Sequence, residues 1–155
     1  RLSGSLRADV VDAIGQQLDA VLAARSLGSH HRWLISSLRH LAPSKASDTL
    51  IETVRQSINM PDCCGCTAKR AIYAVGALRP VAAIPVLTDV IERSARSFHK
   101  HAAALCVEKI VDARGRPALD ALRGDESRLH QAFQRLDQRT DPAASRALGR
   151  LLRLL

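Results

Sequence analysis

Apolar residues recur every four positions in the first stretch of the chain, at Leu6, Val10, Ile14, Leu18 and Leu22, with polar residues between them. Winding at 3.6 residues per turn gathers these five onto one stripe, so the pattern predicts an amphipathic helix over 4–24. Gly28 and Ser29 break the pattern, and Trp33, Leu34, Leu38 and Leu41 restart it as a second helix that Pro43 ends. Leu50, Val54 and Ile58 define a third, closed by Pro61, with Thr49 and Glu52 spaced as a capping box and Ser47 or Asp48 as competing caps.

The same logic carries through the rest of the chain. Ala71, Ala74, Val75 and Leu78 share one face of a helix over 68–78, and Pro80 blocks its continuation. Leu87, Val90 and Ile91 mark the next helix, with Pro85 in its first turn, and Ala103, Cys106, Val107 and Ile110 mark one over 99–111. A turn at Gly115 precedes a short helix bearing Leu119 and Leu122. Leu129, Phe133 and Leu136 supply another stripe, and Asp141-Pro142 opens a last helix carrying Leu148, Leu151, Leu152 and Leu155. No strand alternation or hairpin dipeptide interrupts the series. Eight or nine short helices joined by brief turns imply antiparallel neighbours.

Internal repetition sharpens this picture. Val75, Leu78, Pro85, Leu87 and Val90 stand 32 residues before Val107, Ile110, Pro117, Leu119 and Leu122, and Ala71 and Ala103 keep the same register. Leu34, Leu38, Leu41, Leu50 and Val54 anticipate the unit at a longer separation. A two-helix unit cannot bury its apolar side alone, so such units must stack. The segment AIYAVGALRPVAAIPVL, residues 71–87, resembles the HEAT-like repeats of phycobilisome-lyase-type and other bacterial proteins in its alanine-rich first helix, its Val75-Gly76 pair and its Pro85. The likeness is clearest over 68–124, although Glu108 stands where the second unit should carry the glycine. It implies an all-α fold of stacked helical hairpins, a short HEAT-like α-solenoid. A compact multi-helix bundle is the alternative. Such repeats commonly hold proteins, prosthetic-group substrates or nucleic acid and do not by themselves specify catalysis.

Composition fits one such domain over 1–155, since a hydrophobic share of 46% with only 3% aromatic leaves Leu, Val, Ile and Ala to fill the interior. No apolar run is long enough to span a bilayer, and Asp9, Asp12 and Asp19 set the first stretch apart from a signal peptide, so a cytoplasmic chain without integral membrane association is expected.

Charge brings in function. The net charge is +8, from 23 Lys or Arg against 15 acidic residues. Such a field attracts acidic or phosphate-bearing partners. Arg93, Arg96 and Lys100 cluster beside the best repeat, and Arg135, Arg139, Arg146, Arg150 and Arg153 enrich the C-terminal third. These eight are the expected binding residues of a noncatalytic recognition or scaffold module. An acidic protein surface is the first expectation for its partner; DNA or RNA is the alternative, with DNA repair a minor variant of it. Arg146, Arg150 and Arg153 fall on one helical face.

Other candidate chemistry has plainer explanations. Cys63, Cys64 and Cys66 do not supply the two separated ligand pairs of a usual structural zinc site, so free thiols are expected there, and Cys106 reads as core. His30-His31 and His99/His101 lack metalloprotease spacing and read as solvated surface or part of a mixed basic patch. Asp89/Glu92 and Glu108/Asp112 read as charged surface or salt bridges rather than a catalytic pair. No phosphate loop, nucleophile elbow or dinucleotide fingerprint is present. No catalytic residue, metal ligand or cofactor is therefore assigned. Trp33 and Tyr73 adjoin apolar stripes and are expected to pack in the core or an interface.

Overall fold

A computed structural model describes residues 4–24, 28, 31–41, 43–58, 60, 65–136 and 141–155. Among these residues there are nine α-helices and no strand: α1 (Gly4–Ala23), α2 (Arg32–Leu41), α3 (Pro43–Ser57), α4 (Gly65–Leu78), α5 (Ile84–Arg93), α6 (Ser97–Arg114), α7 (Arg116–Gly124), α8 (Glu126–Arg135) and α9 (Pro142–Leu152). A 3-10 turn, Val81–Ala83, leads into α5.

Most stripe positions read from the sequence are buried, while the side chains of Leu6 and Leu41 lie outside the described residues. Ile14, Leu18 and Leu22 of α1, Leu34 and Leu38 of α2, Leu50 and Val54 of α3, and Leu148 and Leu151 of α9 all belong to one continuous core. The 32-residue register survives in burial at Ala71/Ala103, Val75/Val107 and Val90/Leu122. Pro85 and Pro117 both sit in the opening turn of a helix, where no intrahelical N–H is needed.

The helices form two rows. In one, α1 packs on α3, α3 on α5, and α5 on α8; in the other, α2 packs on α4, α4 on α6, and α6 on α9. The rows are joined chiefly by α3 against α4 and α5 against α6. The longest of the central helices, α6, touches α4, α5, α7 and α9, and this packing across as well as along the rows favours a compact multi-helix arrangement over a regular solenoid. Hairpin phase also differs from the expectation, because α5 takes its main contacts from α6, α8 and α3 rather than from α4.

Two local expectations need correction. Pro43 opens α3 rather than merely ending α2, so Thr49 and Glu52 lie inside the helix and form no capping box. Thr53 instead donates to the Thr49 carbonyl at 2.7 Å, and Glu52 takes Arg55 and Gln56. Asp141 precedes α9, but its side chain makes no capping hydrogen bond. The turn between α6 and α7 does need its glycine: Gly115 has φ 59°, in the left-handed region.

Candidate functional site

Side-chain contacts fix the relative direction of α2, α4 and α6. Between α2 and α4, Thr67 donates to the Gly28 carbonyl at 3.1 Å and, further along both segments, Arg70 Nε donates to Ser36 Oγ at 2.9 Å. Between α4 and α6 the sequence of contacts is Lys69 with Phe98, Ile72 with Cys106, and Arg79 with Arg114. Numbers rise together on both members of each pair, so the three helices run parallel and their N-terminal ends lie at one edge.

Each N-terminus carries the positive end of a helix dipole and N–H groups without intrahelical partners. None of the three helices has an acidic residue in its first turn, and the residue capping α6 is Arg96, which makes no side-chain capping bond. Cations are added to the same edge. Among the described residues, a groove of about 600 Å³ between α2 and α4 is lined by Arg32, Trp33, Ser36, Cys66, Lys69, Arg70 and Tyr73, none of them a carboxylate. Beyond it, Lys69 Nζ lies 5.8 Å from the Tyr73 ring centroid and 5.7 Å from that of Phe98, and the Arg96 guanidinium lies 6.0 Å from the Phe98 ring. These are cation–π distances.

The turn before α6 positions Arg96 and Phe98. Ser94 Oγ accepts the Arg96 backbone N–H at 3.2 Å and shares a 3.1 Å hydrogen bond with His99 Nδ1. The buried His99 ring in turn meets Phe98 edge to face, with centroids 4.4 Å apart. His99 is therefore not solvated surface as the sequence suggested; it anchors this turn. Burial pushes the Tyr73 phenol above its ordinary pKa, with the neighbouring Cys106 adding to the rise, so the ring enters the groove as a neutral hydroxyl donor.

Trp33 is 60% exposed and Phe98 41% exposed. Of the two expectations for Trp33, core or interface packing, the core one is overturned: it stands beside Leu34 in sequence, but one residue along a helix turns its side chain about 100° away from the buried face. Arg32, Lys69 and Arg70 were missed as binding candidates. Their signal was the pairing of a cation with an aromatic within one turn, in Arg32-Trp33 and in Lys69 and Tyr73 four residues apart.

The expected basic residues divide into three groups. Arg96 and Lys100 start α6 at the edge just described, and Arg93 is exposed at the end of α5. Arg146, Arg150 and Arg153 line a second groove, of about 320 Å³, with Phe133, Ser145 and Gly149. Of these, Arg150 is engaged by Glu108 of α6 through a two-pronged contact at 2.7 and 3.1 Å, so it ties α9 to α6. Arg135 is exposed at the end of α8, and Arg139 lies outside the described residues.

Asp89, Glu92 and Glu108 form salt bridges, as one of the two expectations for these pairs had it. Asp89 and Glu92 of α5 and Asp125 before α8 all contact the Arg128 guanidinium, joining α5 to α8. Among the described residues no group of three or more His, Cys, Asp or Glu is arranged to hold a metal ion. Cysteine chemistry departs from expectation: Cys66 is disulfide-bonded, Cys106 is a free thiol, and Cys63 and Cys64 lie outside the described residues. Among the described residues no helix is long and apolar enough to cross a membrane.

No known protein-family model, curated protein or solved structure matches the chain.

Proposed function

We propose that the chain is a noncatalytic nucleic-acid-binding module, held by stacked helical units of the HEAT-like kind, with the parallel N-terminal edge of α2, α4 and α6 as its binding surface. The observation that carries this reading is the convergence of three acid-free helix N-termini with Arg32, Lys69, Arg70 and Arg96. Phosphate oxygens are the ligands such N–H groups and cations suit best, because both offer donors and positive charge to a tetrahedral anion. Repeat ancestry is supported by the shared 32-residue register, with Glu108 replacing Gly76 at the equivalent position and using that position for its pair with Arg150.

A second reading, recognition of an acidic protein surface, is favoured by the separate Arg146/Arg153 groove on α9. Titrations of the 155-residue chain into labelled nucleic acid and into poly-glutamate separate the two. Nucleic acid is expected to bind with micromolar affinity at physiological salt. Replacing Lys69, Arg70 and Arg96 by Gln is expected to weaken it, whereas replacing Arg146 and Arg153 leaves it unchanged. Poly-glutamate binding that exceeds nucleic-acid binding and depends on Arg146 and Arg153 would reverse the choice.

A further inference from the structure

Each of the three parallel helices brings at least one cation and one aromatic ring to the shared edge: Arg32 with Trp33 on α2, Lys69 and Arg70 with Tyr73 on α4, and Arg96 with Phe98 at the start of α6. Neighbouring packed helices lie about 8–10 Å apart, so a chain laid across them meets this pair three times in succession. A phosphate surface alone needs no aromatic residues. Yet two of the three large hydrophobic side chains exposed among the described residues, Trp33 and Phe98, are here.

We propose that this face selects single-stranded nucleic acid, with unpaired bases stacked on the rings while phosphates meet the cations and helix N-termini. The inference rests on the nucleic-acid reading above and deepens it. In a duplex the faces of the bases are stacked on one another and only phosphates and groove edges are offered, so the exposed rings find nothing to cover them. An unpaired strand presents a flat face and an anion in alternation, which is the order of groups on the protein. The Trp33 ring is the most open of the three and borders a largely apolar depression with Val10, Ile14 and Leu34 on its other side, which extends the apolar surface available to a stacked base. The planar Arg96 guanidinium extends the Phe98 surface and offers a second plane for stacking. Because stacking requires only a π face, the site should tolerate any base.

The sequence supplies its own probe, since Trp33 is the one tryptophan of the chain. Titration of the full chain with a 12-residue oligo(dT) should quench the Trp33 emission and bind more tightly than a duplex of equal length. An abasic strand of the same length should bind more weakly and leave the emission unquenched. Phe98→Leu should lower oligo(dT) affinity by about 5- to 150-fold, the range of one lost stacking contact, without changing abasic-strand affinity. Trp33→Leu should do the same, and circular dichroism should match the parent for both because these side chains are exposed. Duplex or abasic strand bound as tightly as oligo(dT) overturns the proposal and leaves the nucleic-acid reading standing. No binding to any of the three overturns both.

Discussion

Gly76 offers the sharpest test of the packing that aligns α4 with α6. It is buried late in α4, and a Cβ built there would lie 2.8 Å from Cys106 Cβ and 3.4 Å from Cys106 Cα, and closer still to its Sγ. The first two atoms are fixed to the α6 backbone, so the helices must move apart to accept a methyl group. Overpacking of this kind costs about 1–3 kcal/mol, and a contact with backbone-anchored atoms belongs at the upper end. Ala for Gly in a helix interior contributes about 1 kcal/mol in the opposite direction. The net for Gly76→Ala is then a loss of about 2 kcal/mol, or about 4–8 °C in Tm for a domain of this size. Gly15 in α1 supplies the control, since a Cβ there meets nothing within 4 Å. Gly15→Ala should therefore gain about 1 kcal/mol from helix propensity alone. Thermal and urea denaturation of both variants decide the matter, with Cys106→Ala added to Gly76→Ala recovering part of the loss because the nearest atom is gone. If Gly76→Ala is stabilised as much as Gly15→Ala, α4 and α6 do not approach as described, and the shared edge loses its support.

Other perturbations test separate parts of the structure. Val75→Asp should unfold the domain or cost more than about 4 kcal/mol, because the carboxylate would enter a site 1% exposed; near-native melting would mean the wrong face of α4 has been called buried. Thr88→Val should stabilise by about 1 kcal/mol in urea melts, since the fully buried Thr88 hydroxyl has no hydrogen-bond partner among the described residues and its removal leaves shape unchanged; a loss would reveal a partner. Cys106 tests the pH dependence. Burial raises its thiol to about 11, opposed by Lys109 and by the Gly76 backbone, from an ordinary value of 9.0. The unfolded chain therefore releases this proton first, so the contribution is full below about pH 9 and is lost as pH rises toward 11. Stability curves of the parent and Cys106→Ala should diverge over that window, and parallel curves would refute it.

Helices and core were legible because both follow from local periodicity. Once Leu18, Leu50, Leu87 or Leu148 recurs at helical spacing, burial is the only favourable place for the stripe, and each of these is buried. Trp33 was misplaced for a related reason: spacing identifies a stripe only to within a residue, and the neighbouring Leu34 fills the buried position. Helix pairing was less legible. The 32-residue register says that units are equivalent but not which neighbour each helix touches, and α5 turned to α6. The candidate site was least legible, because it draws Arg32, Lys69 and Arg96 from three helices separated in sequence, and their proximity depends on parallel packing through Gly76 and Ser36. Charge counting found the α9 cluster readily because its arginines lie four and three residues apart in sequence. A salt bridge at Glu108 was one of the expectations, but spacing could not show that the partner would be Arg150, 42 residues away.

The salt dependence of single-strand binding tests the central claim most directly. Affinity of the full chain for oligo(dT) is measured by anisotropy from 50 to 200 mM salt, for the parent and for Lys69→Gln/Arg70→Gln/Arg96→Gln. Each phosphate contact on a single strand contributes about 0.7 to the slope of log affinity against log salt, so loss of three contacts should make the slope shallower by about 2. The triple variant is expected to bind more weakly with that shallower slope while keeping the parent's circular dichroism. Equal slopes and equal affinities for parent and variant would contradict phosphate recognition at the edge formed by α2, α4 and α6.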